Sequence, residues 1–301
     1  MIALILFAGF IGLILIGIPV SISIGAAVFA TFLTSQFSDA TYIIPQQLLE
    51  GVRKPSLTAV PFFIMAGNLM NTVGMTDRIF NFANSLVGHF KAGLAQVNVL
   101  ASMVFAGVSG AAVADCAGLG MIEIKAMRER GYNPEFAAAL TVCSAVIGPI
   151  IPPSIGLVIY AFLAQQSIER MFLAGLVPGL LVGLSLMVFN RILATRQHFP
   201  TQEKASRETV LKTSLDGILA LGAPGIILGA ILFGFVTATE AGVLACLYTL
   251  VLGVLYRSIT LRGLYTALSD TMMMTTIIMI IIGFSTAMGW LLAIDQVPQH
   301  F

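Results

Sequence analysis

Apolar runs long enough to cross a bilayer alternate with short polar stretches along the chain. A membrane-spanning helix needs about 20 apolar residues, because it must cross about 30 Å of hydrocarbon. Residues 2–32 are too many for one upright helix and are divided at Gly17-Ile18-Pro19, so this region predicts two short or tilted helices. The pattern as a whole predicts an all-α polytopic membrane protein.

Further apolar and polar segments follow in order. The apolar ones cover residues 57–70, 171–189, 218–235, 241–256 and 272–292. The polar residues 35–55 are expected at the membrane interface, and residues 76–90 alternate polar and apolar side chains as an amphipathic helix lying along the membrane would. Residues 191–213 form the longest polar stretch, and we interpret them as a linker between two halves of the chain.

Three prolines and a glycine interrupt the apolar run of residues 136–167. The stretch reads Ile147-Gly148-Pro149-Ile150-Ile151-Pro152-Pro153-Ser154. Proline has no amide hydrogen to donate and clashes with the preceding turn, so the helix must unwind and leave carbonyl groups without partners. Such backbone survives at membrane depth only where protein buries it or a cavity lies beside it, as at the binding sites of secondary transporters. The run therefore predicts a broken helix at about residues 136–166.

A second interruption lies in the apolar segment of about residues 93–125, where Gly107-Val108-Ser109-Gly110 stands near the centre. Glycine permits a tight turn, so this segment predicts a re-entrant hairpin of two half-helices. Asp115 falls on the second arm, and a carboxylate at such depth is a functional candidate. The alternative is an ordinary span kinked at glycine, with Asp115 near one end. Glu123 and the charged residues after it are expected to return to water.

The two halves share an order of elements. A shift of 216 residues places Leu48 on Leu264 and Gly67 on Gly283, although identity is weak and any two hydrophobic sequences can be matched in this way. We interpret residues 1–190 as a first repeat and residues 214–301 as a partial second one, inverted across the membrane as in many transporters. The second hairpin would follow Phe301, so it is expected to be missing and the chain to be part of a longer protein.

Composition supports the membrane class and excludes several others. The 301 residues are 58% hydrophobic and 10% charged, and the net charge of +1 implies no nucleic acid partner. Three histidines and three cysteines are scattered without the spacing of a metal or redox site, and no GxxxxGK[ST] loop is present for a nucleotide. We therefore expect a protein that is not an enzyme and has no organic cofactor.

Four separated motifs resemble the large membrane subunit, of the DctM type, of tripartite ATP-independent periplasmic (TRAP) transporters. They are residues 60–70, the hairpin at residues 108–115, the turn Gly131-Tyr132-Asn133 and residues 147–155. Thr237-Ala238-Thr239-Glu240-Ala241 also resembles a family motif, with Ala238 where proline is common. The resemblance covers nearly the whole chain.

The resemblance implies a sodium-driven elevator transporter of the bacterial inner membrane. In such proteins a mobile domain of hairpins and broken helices carries an organic acid, such as a C4-dicarboxylate or sialic acid, past a static scaffold. It also implies two protein partners, a small four-helix membrane subunit and a soluble periplasmic binding protein that delivers the substrate. Sodium is then the coupling ion.

By the same resemblance, the hairpin tip and the broken helix face each other and form a sodium site. Sodium is a hard cation that takes oxygen ligands, and helix N-termini near Gly110 and Ser154 could face a substrate carboxylate. The candidate sodium-binding residues are Ser102, Ser109, Gly110, Ser144, Gly148 and Pro149. The candidate substrate-binding residues are Ser109, Asp115, Pro153 and Ser154.

Other interpretations stay open at this stage. Asp115 could relay protons in a permease coupled to protons or another ion. Gly107-Val108-Ser109-Gly110 also matches the GxSG pattern of intramembrane serine proteases, but that chemistry needs a histidine base. The histidines are all in polar or terminal stretches: His89, His198 and His300. Glu240 could cap the helix that it begins or take part in domain motion, and capping is the interpretation that we favour.

Overall fold

The computed structural model describes residues 2–34, 42–197, 199 and 204–296, without the side chains of residues 108, 109, 196 and 197. In these ranges the chain forms fourteen α-helices, one 3₁₀ turn at Pro55–Thr58 and no strand. The helices are α1 Ile2–Leu15, α2 Val20–Leu33, α3 Ile43–Val52, α4 Ala59–Thr72, α5 Met75–Val87, α6 Gly93–Ser109, α7 Ala112–Ala117, α8 Leu119–Glu129, α9 Pro134–Ala145, α10 Ile155–Leu163, α11 Ile168–Gln197, α12 Arg207–Leu232, α13 Ala238–Leu255 and α14 Leu261–Ile294.

Several helices meet the length and hydropathy of a membrane span. Among the described residues, four are long and apolar enough on their own, namely Ile168–Thr195 of α11 and the whole of α12, α13 and α14. The pair α4 and α5, with the 3₁₀ turn before it, is bent by 73° and forms a fifth candidate as one broken span. The prediction of an all-α polytopic membrane protein is confirmed.

The first two helices are separated where the sequence predicts. Helix α1 ends before Gly17, whose φ of 91° lies in the left-handed region that glycine adopts readily. Pro19 then stands immediately before α2, where its missing amide hydrogen breaks no helical hydrogen bond. The two short helices predicted for residues 2–32 are confirmed.

The chain divides into two compact units, and the first contains Met1–Leu57 and Met272–Phe301. Its core consists of apolar side chains from α1, α2, α3 and the second part of α14, among them Leu6, Phe32 and Leu291, which are at most 1% exposed. Gly25 leaves room for the ring of Phe284, because a Cβ at Gly25 would lie 2.8 Å from that ring. Packing of ordinary side chains therefore holds this unit together.

The second unit, Thr58–Thr271, is built around α6. Helix α6 contacts α4, α5, α8, α9, α11 and α12, and most of its side chains are buried. Apolar residues such as Val97, Val99 and Phe105 are fully buried there. A helix whose side chains are buried on every face lies in the interior. The hairpin predicted from the sequence thus supplies the central helix of this unit.

Two predictions about polar segments need correction. Helix α11 continues to Gln197, and helix α12 begins at Arg207. Most of the predicted linker 191–213 is therefore helical. Arginine, glutamine and lysine are good helix formers, and Ser206 caps α12 by accepting a 3.1 Å hydrogen bond from the Thr209 amide. The amphipathic segment 76–90 forms α5, whose apolar side packs on α6 and α12, so protein covers the face expected to meet the membrane surface.

The proposed repeat pairs regions of unlike structure. Residues 48–67 contain the end of α3, the 3₁₀ turn and the start of α4. Residues 264–283, with which the shift of 216 pairs them, lie within the continuous helix α14. The boundaries between the compact units, before Thr58 and before Met272, nevertheless differ by nearly the predicted shift. The division into inverted repeats stays a prediction.

Candidate functional site

The chain reverses direction at Gly110 and Ala111. Gly110 follows α6 with a φ of 58°, in the left-handed region, and Ala111 is extended before α7 begins. Asn98 on α6 and Glu123 on α8 are about equally far from this turn along the chain, and their side chains form a 2.7 Å hydrogen bond. The two arms therefore run antiparallel. The segment is therefore a helical hairpin and not a single kinked span, while its re-entrant position in the membrane stays a prediction.

The second arm of the hairpin is itself divided. Helix α7 ends at Ala117 and α8 begins at Leu119, with Gly118 between them. A Cβ at Gly118 would lie 2.9 Å from Oδ1 of Asn71, so the small residue permits α4 to approach the arm at this point. The sequence predicts one half-helix here, and the structure has two.

The predicted broken helix is also present, as α9 and α10 with irregular backbone between them. The amide groups of Ile150 and Ile151 both donate 2.9 Å hydrogen bonds to the carbonyl oxygen of Ile147. The buried hydroxyl of Ser154 donates a 2.6 Å hydrogen bond to the Pro149 carbonyl and accepts one of 3.2 Å from the Leu157 amide. Ser154 thus closes the break and caps α10.

The tip of the hairpin contacts this break through backbone atoms. A Cβ at Gly110 would lie 2.7 Å from the Pro153 carbonyl oxygen and 3.1 Å from the Ile155 nitrogen. On the other side, a Cβ at Gly148 would lie 3.3 Å from the Ala111 carbonyl carbon. The two irregular segments therefore meet where only glycine leaves room. We call this region the tip–break contact.

The structure divides the predicted site residues into two groups. Gly110, Gly148, Pro149, Pro153 and Ser154 lie at or beside the tip–break contact. The oxygen atoms there belong to backbone carbonyl groups and a hydroxyl group, and sodium prefers oxygen ligands. The side chain of Ser109, at the end of α6, lies outside the described part of the structure. The sodium and substrate roles of these residues stay predictions.

Ser102 on α6 and Ser144 on α9 belong to the second group, where the first arm of the hairpin packs on the first half of the broken helix. The Ser102 hydroxyl donates a 3.1 Å hydrogen bond to Oγ of Ser144, which donates one of 2.8 Å to Oδ1 of Asn98. The amide nitrogen of Asn98 donates to Oε2 of Glu123 at 2.7 Å and to the Thr141 hydroxyl at 2.8 Å. These five buried side chains form a polar network that joins α6, α8 and α9.

Sequence reasoning missed three members of this network. It overlooked Asn98 and Thr141, and it wrongly placed Glu123 in water, whereas that side chain is 1% exposed. A signal was present, because Asn98 and Ser102 are four residues apart and so lie on one face of α6. Leu119, Glu123 and Met127 are likewise a buried stripe on α8, and this spacing marks Glu123 as inward-facing.

Asp115 lies inside the hairpin and is 1% exposed. It is close enough to Ser102 to interact with that hydroxyl, but neither carboxylate oxygen accepts a hydrogen bond of good geometry from the described residues. The same holds for Oε1 of Glu123. Asp115 is thus a neighbour of the polar network, and its predicted role in substrate binding remains a prediction.

The turn Gly131-Tyr132-Asn133 orders the entry into α9. Oδ1 of Asn133 accepts a 2.8 Å hydrogen bond from the Glu135 amide and caps the helix, and Gly131 has a left-handed φ of 81°. The ring of Tyr132 stacks on Phe199 at a centroid distance of 4.9 Å, and burial raises the pKa of its phenol. These contacts give the motif a structural role.

Glu240 and Thr237 form a reciprocal cap at the start of α13. The Thr237 amide donates a 2.7 Å hydrogen bond to Oε2 of Glu240, while the Glu240 amide donates one of 3.4 Å to Oγ1 of Thr237. This is a capping box, which satisfies two amide groups that the helix leaves free. The predicted capping role of Glu240 is confirmed.

A polar cleft of about 570 Å³ lies between α5 and α12. On its wall, Nη1 of Arg78 is 3.5 Å from Oδ1 of Asp216, and the guanidinium lies 3.6 Å above the ring of Tyr256. In the described ranges, no group of three histidine, cysteine, aspartate or glutamate residues could hold a metal ion. The Arg78 contacts tie three helices together.

Comparisons with known proteins agree with these observations. The family model for the DctM component of tripartite ATP-independent periplasmic transporters matches residues 7–301. The chain is 43% identical to the sialic acid TRAP transporter large permease protein SiaM of Vibrio cholerae, over 97% of this chain and 68% of that protein. It is 37% identical to the sialic acid TRAP transporter permease protein SiaT of Haemophilus influenzae, over 95% of this chain and 46% of that protein. It is 36% identical to the 2,3-diketo-L-gulonate TRAP transporter large permease protein YiaN of Escherichia coli, over 99% and 70%.

Proposed function

This chain belongs to the DctM component family of tripartite ATP-independent periplasmic transporters, and we propose that it couples the import of an organic acid to sodium. It is a large permease subunit and a multi-pass protein of the bacterial inner membrane. The relatives it matches are transporter permeases, which supports a role without catalysis of its own. The proposal extends this membership to the coupling ion, the substrate class and the mechanism.

The tip–break contact is the observation that carries the proposal. Two segments of irregular backbone meet there at Gly110 and Gly148, with the carbonyl oxygen of Pro153 beside Gly110 and the carbonyl group of Ala111 beside Gly148. Carbonyl oxygens at the end of a half-helix suit a hard monovalent cation such as sodium. Irregular backbone within a membrane protein is tolerated beside such a site, where an ion or water can satisfy the freed polar groups.

The substrate that we propose is an organic acid, such as sialic acid or a C4-dicarboxylate. Two of the relatives are named for sialic acid and another for 2,3-diketo-L-gulonate. A carboxylate is also the chemistry that the N-terminus of α10 favours, because its free amide groups and helix dipole attract negative charge. Ser154 caps this helix and stands beside the contact.

The proposed mechanism is an elevator with two protein partners. The hairpin and the broken helix belong to the same compact unit, Thr58–Thr271, so a bound ion and substrate would travel with one body. Family membership supports a small four-helix membrane subunit and a periplasmic binding protein as the partners. The binding protein would deliver the acid to the permease.

Uptake into proteoliposomes tests the proposal. The full-length protein is reconstituted with its small subunit, and uptake of labelled acids is measured with the binding protein present, under a sodium or a potassium gradient. We expect uptake only with sodium and only with the binding protein. Uptake that follows a pH gradient without sodium would instead indicate proton coupling, and uptake independent of the binding protein would contradict the tripartite mechanism.

A pair of glycine variants connects the assay to the tip–break contact. In Gly148→Ala the new Cβ would lie 3.1 Å from the Ala145 carbonyl oxygen and close to Ala111, so the tip and the break must move apart. In Gly156→Ala the nearest atom is 3.6 Å away, an ordinary contact. We expect Gly148→Ala to weaken sodium activation about tenfold or more, the effect of roughly 1.4 kcal/mol, and Gly156→Ala to leave it unchanged.

A further inference from the structure

The polar cleft between α5 and α12 contains charged groups of both signs that the proposed function does not use. Arg78, Asp77 and Asp216 line it, together with amide and hydroxyl side chains such as Asn81 and Thr213. Its volume of about 570 Å³ lies within the range of roughly 300–1,000 Å³ that is usual for small-molecule sites. Such a lining suits a polar ligand that itself carries both charges.

Arg78 is held in the wall of this cleft with hydrogen-bond donors to spare. Its guanidinium lies 3.6 Å above the ring of Tyr256, and its Nη1 is 3.5 Å from Oδ1 of Asp216. That separation is longer than a hydrogen bond of about 2.7–3.2 Å, so the ion pair leaves the N–H groups available. The planar fork of an arginine matches the oxygens of a phosphate group, and the side chain of Arg78 is 29% exposed. Arg78 is therefore an oriented and accessible phosphate-binding group.

The two carboxylates make a purely anionic ligand unfavourable. Among the residues that line the cleft, one arginine faces two aspartates. In the described part of the chain, Asp216 is paired with Arg78, whereas neither ion pair involves Asp77. A phosphate alone would add negative charge beside these carboxylates, but an ammonium group on the same ligand gives Asp77 a partner. The charges favour a phosphate ester that carries a primary ammonium.

The cleft lies where two candidate membrane spans end. Asp216 precedes the uncharged part of α12, and Tyr256 directly follows α13. Arg78 contacts both residues, so these two helix ends are on the same side of the bundle. Helix α5 is bent by 73° from α4, a direction that suits a helix at the membrane interface when α4 crosses the bilayer. The cleft is thus at the depth of the lipid headgroups.

We propose that this cleft binds the headgroup of a phospholipid with both a phosphate and a primary ammonium, as in phosphatidylethanolamine. The phosphate binds to the fork of Arg78, and the ammonium binds to Asp77. Leu219, less than one turn beyond Asp216 on α12, is 42% exposed and offers an apolar surface to an acyl chain. The bound headgroup joins α5 to α12 and to the end of α13. This inference is independent of the sodium coupling and of the transported acid.

Lipid binding to the purified full-length protein tests the inference. The protein is delipidated in detergent, and native mass spectrometry compares phosphatidylethanolamine with phosphatidylcholine and phosphatidylglycerol of the same acyl chains. The choline group has no N–H donor, and phosphatidylglycerol has no cation. Asp77→Asn removes the charge that binds the ammonium. Asp270→Asn is the matched control, because Asp270 is an exposed carboxylate that does not line the cleft.

We expect the wild type to bind one phosphatidylethanolamine molecule at least about tenfold more tightly than either other lipid, a difference of roughly 1.4 kcal/mol. Asp77→Asn should lose the preference over phosphatidylcholine, and Asp270→Asn should keep it. Arg78→Lys, which lacks the fork, should bind phosphatidylethanolamine more weakly than the wild type does. Equal binding of the three lipids by the wild type, or an unchanged preference in Asp77→Asn, would overturn the inference.

Free phosphoethanolamine distinguishes a lipid from a soluble ligand. It carries the same phosphate and ammonium without acyl chains, and we expect it to displace the lipid only at a large excess. If it bound as tightly as the lipid, the ligand would be soluble and the lipid assignment would be wrong.

Melting temperatures supply a second measurement on the same variants. Phosphatidylethanolamine should raise the melting temperature of the wild type and of Asp270→Asn more than that of Asp77→Asn, because a ligand stabilises the folded state that binds it. Both substitutions are at exposed positions, so both variants are expected to fold. Equal increases in all three proteins would contradict the headgroup site.

Discussion

Asn98 on α6 donates a 2.7 Å hydrogen bond to the buried carboxylate of Glu123 on α8, and this contact joins the two arms of the hairpin. The same amide also bonds to Thr141 on α9. Three helices that are apart in sequence therefore depend on one side chain. The relationship makes Asn98 the centre of the hairpin interior.

Replacing Asn98 should destabilise the protein more than an ordinary surface change. Asn98→Ala leaves Glu123, Thr141 and Ser144 without their described bonds to it, and each unsatisfied buried group costs about 1–3 kcal/mol. We expect the free energy of unfolding in detergent to fall by about 3 kcal/mol or more. Asn81→Ala, at an exposed position of α5, should change it by less than about 0.5 kcal/mol. If Asn98→Ala and Asn81→Ala change the free energy of unfolding equally, the polar network contributes little to stability.

Replacing Gly110 by alanine should lower the stability of the protein for two separable reasons. Gly110→Ala places a Cβ both in a left-handed conformation and 2.7 Å from the Pro153 carbonyl oxygen. Gly131→Ala has the same conformational strain, with a φ of 81°, but nothing lies within 4 Å. Both should lose about 1–2 kcal/mol from strain, and Gly110→Ala a further 1–3 kcal/mol or so from the clash. Equal melting temperatures for the two variants would argue against the tip–break contact.

Removing the capping box at the start of α13 should lower the stability of the protein by a small amount. Thr237→Ala removes the hydroxyl that accepts from the Glu240 amide, and loss of such a cap costs about 1 kcal/mol. Thr237→Ser keeps the hydroxyl and should retain most of the stability. Chemical denaturation of the three proteins compares them, and a serine variant as weak as the alanine variant would assign the effect to the lost methyl group.

The contacts of Arg78 should differ in their response to salt. Asp216 is 45% exposed at its side chain, so Asp216→Asn should cost under about 1 kcal/mol and lose its effect at high salt. Arg78→Lys keeps the charge but removes the flat guanidinium over Tyr256, and it should cost about 1 kcal/mol at any salt concentration. Melting temperatures at low and high salt distinguish the ion pair from the stacking contact. If high salt restored the melting temperature of Arg78→Lys to that of the wild type, the stacking contribution would be contradicted.

The helices and their interruptions follow from local chemistry. Gly17-Ile18-Pro19, the Gly110 turn and the proline-rich break each act within a few residues, through missing amide donors and permitted backbone angles. Hydropathy likewise depends only on the composition of a segment. These features could therefore be predicted before any packing was known, and the structure confirms them.

Polar residues were predicted less well, because a charge looks alike in the sequence whether it is solvated or buried. Glu123 is followed by Lys125 and Arg128, a pattern typical of a loop returning to water, yet it faces Asn98. The residues of the predicted linker are charged as well, but they extend α11 and α12. The surroundings of a side chain come from other helices, which a short window does not contain.

The sequence by itself determined that this protein is built of apolar helices interrupted by a glycine turn and a proline-rich break. It also carried the motifs that identify the family. The family resemblance implied that the hairpin tip faces the broken helix. Only the tertiary structure decided which atoms meet there, with Gly110 against Pro153, and that Asn98 reaches Glu123 and Thr141. The physical reason is range: backbone constraints and hydrophobicity act on each segment alone, whereas hydrogen-bond partners and close backbone approaches depend on how distant segments pack.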